Sequence, residues 1–214
     1  MMQAAISFVV FVSLMAPPAM AEGSDIASRR NPAEAIAGRA AETESNESQS
    51  SPGTREERLD ALFVELKRES SAPKAAQIAS RIESVWNESG SATIDLLLQW
   101  SGEAMANDQG AAALDLIDQA IALRPQLAEL WNRRATLHFT SDRISKSISD
   151  LQQVLRREPR HFNALIGLAT IFQQIGRKEQ ALDIYMRVLD VYPANQGAQS
   201  AVSRLAEELA GDRA

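Results

Sequence analysis

Three prolines, Pro125, Pro159 and Pro193, stand 34 residues apart, and each closes a stretch in which small and bulky apolar residues recur at the same offsets. A unit of this length is a helix, a turn and a second helix, too small to bury its own apolar face, so successive units must stack. Counting back from the prolines sets three repeats at residues 94–127, 128–161 and 162–195, which can be compared position by position.

The eighth position holds Ser101, Ala135 and Ala169, the twentieth Ala113, Ser147 and Ala181, and the twenty-seventh Ala120, Val154 and Val188. Small residues at these points let helix backbones approach closely. The fourth position carries Leu97, Trp131 and Leu165 and the twenty-fourth Ile117, Leu151 and Tyr185, so bulky side chains fill the space that the small ones leave. A proline at the thirty-second position pushes the residue before it out of helical geometry and suits the first turn of the next helix. First helices are expected near residues 92–106, 126–140 and 160–175, and second helices near 109–123, 143–157 and 178–191. Asp108 and Asp142 are placed to cap second helices, and Gly176 suits the left-handed residue that ends a first helix.

The pattern resembles the tetratricopeptide repeat (TPR) family, with Leu165, Leu168, Ala169, Phe172, Gly176, Ala181, Tyr185 and Pro193 of the third repeat in the expected positions. The second repeat departs at Arg134 and Ser147, and the first has Ala104 for the usual aromatic and Asp108 for the usual turn glycine. Arg134 sits at an apolar position, where its methylene stem can pack while the guanidinium reaches water. The fold class is all-α, which the resemblance makes a right-handed α-solenoid of TPR repeats with a C-terminal capping helix over residues 196–214.

Outside the repeats, an apolar run from Gln3 to Ala16 is too short to span a bilayer and is followed by Pro17-Pro18 and then Ala19-Met20-Ala21 before Glu22. That is the layout of a secretory signal peptide over residues 1–21, cleaved after Ala21, which would make the protein periplasmic. No Lys or Arg precedes the run, so an uncleaved anchor in the inner membrane is the alternative. Residues 22–53, rich in Glu, Ser, Ala, Gly and Asn, lack the apolar side chains to offset the entropy of ordering and read as a disordered linker. Thr54 and Glu57 form a capping-box signature that opens an atypical N-terminal helix pair over residues 54–93, with Leu59, Leu62, Phe63 and Leu66 on one face and Ile78, Ile82, Val85 and Trp86 in the second helix. Such a pair is expected as a divergent terminal repeat.

The chain has no cysteine, and its two histidines, His138 and His161, have no neighbours at metal-ligand spacing, so no catalytic, cofactor or metal site is assigned. No phosphate loop or nucleophile elbow occurs. A net charge of −6 argues against nucleic acid as a partner. The charge is uneven: residues 94–127 hold five acids and one Arg, and residues 128–161 hold seven bases and four acids. Either the second repeat steers an acidic partner or the two repeats attract each other.

The family resemblance implies a concave groove lined by the first helices, and with it a non-catalytic adaptor that holds a protein or peptide, with no small-molecule substrate. The positions it assigns to the lining include Leu98 and Met105 in the first repeat, Asn132, Thr136 and Phe139 in the second, and Asn163, Ile166, Thr170 and Gln173 in the third. Apolar anchors there would grip side chains and the amides would bond a peptide backbone. The carboxylate clamp of some family members is not expected, because Leu98 and Gly102 replace two of its polar positions. The alternative is a scaffold that self-associates as a homo-oligomer or is anchored to the inner membrane.

Overall fold

The structure, a computed structural model, describes residues 53–211. The stretches read above as a signal peptide and a disordered linker, up to residue 52, and the last three residues lie outside the described part. All regular structure among the described residues is α-helical: α1 (Arg55–Arg68), α2 (Ala72–Asn87), α3 (Ala92–Ala106), α4 (Gly110–Leu123), α5 (Ala128–Thr140), α6 (Ile144–Arg157), α7 (Phe162–Gln174), α8 (Lys178–Val191) and α9 (Gln196–Gly211). The pairs α3/α4, α5/α6 and α7/α8 are antiparallel hairpins that stack in order, and α9 closes the array against α8.

Local chemistry sets each boundary. At α1 the Thr54 hydroxyl accepts from the Glu57 amide at 3.2 Å while the Glu57 carboxylate accepts from the Thr54 amide at 2.8 Å, which is the capping box that the sequence announces. Every first helix of a repeat ends in the same way. Asp108, Asp142 and Gly176 take φ of 57°, 56° and 78°, and the next amide reaches back five residues, Gln109 to Ala104, Arg143 to His138 and Arg177 to Phe172, each at 2.8 Å. These are Schellman closures, in which the left-handed residue lets the chain turn back and satisfies a carbonyl left open at the helix end.

Asp108 and Asp142 therefore do not cap the second helices, as the sequence suggested. They do the work of the glycine that the third repeat has, and no side-chain cap bond forms at α4 or α6. Because an L-residue is strained in this region and Asp142 is exposed, Asp142→Gly is expected to stabilise the protein by about 0.5–1 kcal/mol. A denaturant midpoint that does not rise would contradict this.

The prolines also act differently from the expectation. Each is the second residue of a β-turn between repeats, closed by the amides of Leu127, His161 and Asn195 on the carbonyls of Arg124, Glu158 and Tyr192, each at 3.1 Å. Proline suits that position because its ring presets φ. The new helix begins three residues after each proline.

The small-residue positions are where backbones meet: Ala113, Ala120, Val154, Ala169, Ala181 and Val188 have no exposed surface. Ser101 is buried as well and donates to the Ala113 carbonyl at 3.1 Å, joining the two helices of the first repeat. One apolar cluster fills the second and third repeats and α9, another fills the first repeat, and Trp131 packs against both.

The α1/α2 pair does not sit as a terminal repeat stacked on α3. Its main contacts outside itself are α5 and α8. Its core of Leu59, Leu62, Phe63, Leu66, Ile78, Ile82 and Trp86 is continuous with Phe162, Tyr192 and Ala194 at the turns that join repeats. The Trp86 indole stacks on His161 at 4.0 Å with 6° between planes and lies 4.9 Å from Phe162. Polar links frame this contact: Arg160 donates to Asp60 at 2.6 Å and lies over the Phe63 ring, and Arg124 donates to the Ser89 carbonyl at 3.2 Å. The hairpin thus straps the turn edge of the stack from the first repeat to the third.

Candidate peptide-binding groove

Residues on one face of α3, α5 and α7 form the candidate lining. Met105, Phe139 and Ile166 are half-buried, each packed on a core cluster and each leaving part of its surface open. Thr136 is exposed, and its hydroxyl donates to the Asn132 carbonyl at 3.1 Å. Leu98 instead lies in the first-repeat core with 9 % of its surface exposed, so it offers little to a ligand.

The amides are already occupied. Asn163 donates to Glu83 of α2 at 2.7 Å, Asn132 donates to Glu129 at 3.2 Å, and Gln173 accepts from Arg204 of α9 at 3.3 Å. Thr170 shares a hydrogen bond of 3.1 Å with the Tyr185 hydroxyl. Arg133 adds a 2.6 Å bond to Asn87 at the end of α2. The face is therefore bounded by α2 on one side and α9 on another, and its open part is the strip around Met105, Thr136, Phe139 and Ile166. Sequence reasoning missed Glu83 and Asn87 as wall residues, and nothing in their local pattern marks them.

A second polar feature lies behind the groove. Arg134 makes two bonds to the buried Asp150 carboxylate, at 2.8 and 2.7 Å, and one to Asp118 of the preceding repeat at 2.6 Å. Its guanidinium also lies 4.8 Å from the Trp131 ring. The Arg134 side chain keeps 20 % of its surface exposed, and its guanidinium is held between two carboxylates. Hydrogen bonding to Asp150 raises its pKa against the opposing effect of burial, and Asp118 adds to the rise. His138 Nε2 stands 3.7 Å from Asp150; burial lowers the imidazole pKa, with Asp150 pulling the other way. The sequence did carry a signal here. Arg134 stands where the other repeats have Trp100 and Leu168, and Asp150 where they have Leu116 and Ile184, so one repeat has opposite charges at two apolar positions.

Much of the positive charge of the second repeat is likewise met by partners within the chain. Arg133 pairs with Glu129, Arg134 with the two aspartates, Arg157 donates to the Pro125 carbonyl, and Arg160 binds Glu158 and Asp60. The Asp118–Arg134 bond is direct attraction between the oppositely charged repeats. Among the described residues no three His, Asp or Glu side chains converge as a metal site would.

A TPR repeat-containing protein of Rhizobium etli is 52 % identical over 157 residues, 73 % of this chain and 77 % of that protein. The chain belongs to the tetratricopeptide repeat family. The family's repeat pattern matches residues 162–195, the third hairpin and its closing turn. Solved TPR domains share the fold at low identity. The first TPR of Spaghetti (RPAP3), bound to an HSP90 peptide, superimposes with a TM-score of 0.51 at 19 % identity over 55 % of this chain and 94 % of that one. The Sgt2 TPR domain of Aspergillus fumigatus gives 0.51 at 17 % identity over 58 % and 84 %. The family is one of protein interaction modules, and the TPR stack described above is of that type.

Proposed function

We propose that this TPR protein is a non-catalytic adaptor of the bacterial cell envelope, exported and cleaved after Ala21, that holds a peptide or protein segment along its first helices. The observation that carries the reading is the open strip of Met105, Phe139 and Ile166 beside the Thr136 hydroxyl, between the walls made by α2 and α9. Half-buried apolar side chains on a rigid helical floor lose little entropy when a partner covers them, which is what an anchor requires. The RPAP3 domain with its HSP90 peptide supports use of this fold as a peptide receptor. The ligand here differs in kind, because Leu98 and Gly102 stand at two of the clamp's polar positions and Asn163 is engaged by Glu83. A segment read by apolar side chains fits better than a free carboxyl terminus. Export rests on the apolar run Gln3 to Ala16 and the Ala19-Met20-Ala21 site.

Photo-crosslinking in intact cells tests the groove. A crosslinker at Thr136 is expected to give a discrete adduct, and one at the exposed Gln152 of α6 is expected to give none. Phe139→Ala should weaken capture about tenfold, or about 1.4 kcal/mol, with helicity unchanged. Adducts from Gln152 alone would place the partner elsewhere. Amino-terminal sequencing decides the address: a soluble chain that starts at Glu22 supports export, and a full-length membrane-bound chain makes it an anchored scaffold.

A further inference from the structure

The repeats share an internal reference frame, and the first one breaks it. At the third, seventh and tenth positions the second repeat has Leu130, Arg134 and Leu137, and the third has Ala164, Leu168 and Ile171. All but Arg134 are buried, and Arg134 reaches back to Asp118 on α4. Gly167, beside Leu168, faces Leu151 of α6 closely enough that a Cβ there would lie 3.6 Å from it. These positions are where each repeat receives the second helix of the repeat before it.

In the first repeat the same positions are Leu96, Trp100 and Glu103. Among the described residues no repeat precedes it, and α2 packs onto α5 and the turn edge instead of onto α3. Leu96 is 41 % exposed and Trp100 46 % exposed, one helical turn apart on one stripe with Glu103. A terminal repeat ordinarily has a polar outer face; this one presents a leucine and a tryptophan. Carboxylates adjoin them. Glu103 lies on the stripe and Asp95 precedes Leu96 on the same helix, and among the described residues neither pairs with a basic side chain. The repeat's one base, Arg124, is spent on the Ser89 carbonyl.

We propose that this leading face of α3 is a second docking surface, separate from the groove, and that its occupant is an α-helix of a partner protein with an apolar stripe flanked by Lys or Arg. Its repeat positions are those that receive α4 and α6 further along the stack, so a helix is the element that suits it. Uncompensated carboxylates around the two apolar side chains select basic flanks. A second copy is disfavoured by charge, since the same face would bring Asp95 and Glu103 against their own images. The outer side of α9, with Ser200, Ser203 and Glu207 exposed, offers no apolar complement either.

The test uses the full chain and two labelled synthetic helices with the same leucine stripe, one flanked by lysines and its twin by glutamates, read by fluorescence anisotropy. The lysine helix is expected to bind at least tenfold more tightly than its twin. Trp100→Ala should lower that affinity about tenfold, Glu103→Lys should reverse the preference between the twins, and Phe139→Ala in the groove should change neither. Both α3 substitutions are at exposed side chains, and unchanged circular dichroism confirms the fold. Binding that ignores Trp100→Ala and Glu103→Lys overturns the proposal, as does binding lost in Phe139→Ala, which would seat the helix in the groove. A chain that sediments as a dimer and becomes a monomer on Trp100→Ala overturns it in favour of a second copy.

Discussion

Trp86→Ala is expected to lower the stability of the protein by about 3–5 kcal/mol, one of the largest effects of any single truncation in the chain. The indole is 2 % exposed, stacked on His161 and tilted against Phe162 and Phe63, so its removal leaves a cavity that three rigid neighbours cannot close. The damage extends beyond volume. His161 caps α7 by accepting the Ala164 amide at 3.2 Å through Nδ1, and the stacked indole is what holds that ring in place. The hairpin should loosen first, seen as faster hydrogen exchange in α1 and α2 than in α5 to α8. Trp86→Phe should recover a large part of the loss. A denaturation midpoint that Trp86→Ala leaves unmoved would show that the hairpin is not docked on the repeats.

The second large effect concerns the charges inside the second repeat. Asp150→Ala is expected to cost about 3–5 kcal/mol, because it strands the Arg134 guanidinium, whose side chain is 20 % exposed, beside an apolar core. Asp118 still faces Arg134 but is 55 % exposed, which places the expected loss toward the lower end of that range. Replacing both partners by the residues of the third repeat, Arg134→Leu with Asp150→Ile, is expected to be near neutral or stabilising, since it removes two desolvation costs together with the pair. A double-mutant cycle by chemical denaturation measures this. If the double variant is as unstable as Asp150→Ala, the ion pair is itself a net source of stability.

The helices and turns of the repeats were legible because their causes are close in sequence. The thirty-four-residue period, the left-handed residue at 108, 142 and 176, and the proline that closes each β-turn all act across a few residues, so spacing alone places them. Errors at this level were errors of role. Asp108 and Asp142 resemble helix caps in sequence, but at their positions the backbone must turn left-handed, and aspartate tolerates that. The groove was legible only in part. The family resemblance assigns Thr136, Phe139 and Ile166 to the groove lining, but it assigns Leu98 there as well, and Leu98 is buried.

The sequence by itself determined that the chain makes stacked helical hairpins, where they begin and end, and which side chains fill the seams between them. Only the tertiary structure decided where the first hairpin goes. Its position depends on Trp86 meeting His161, on Glu83 reaching Asn163 and on Asp60 reaching Arg160, contacts between residues 75, 80 and 100 apart. No periodicity encodes such distances. They follow from the shape of the turn edge, which exists only after the repeats have stacked. Docking there closes one side of the groove and leaves Leu96 and Trp100 uncovered.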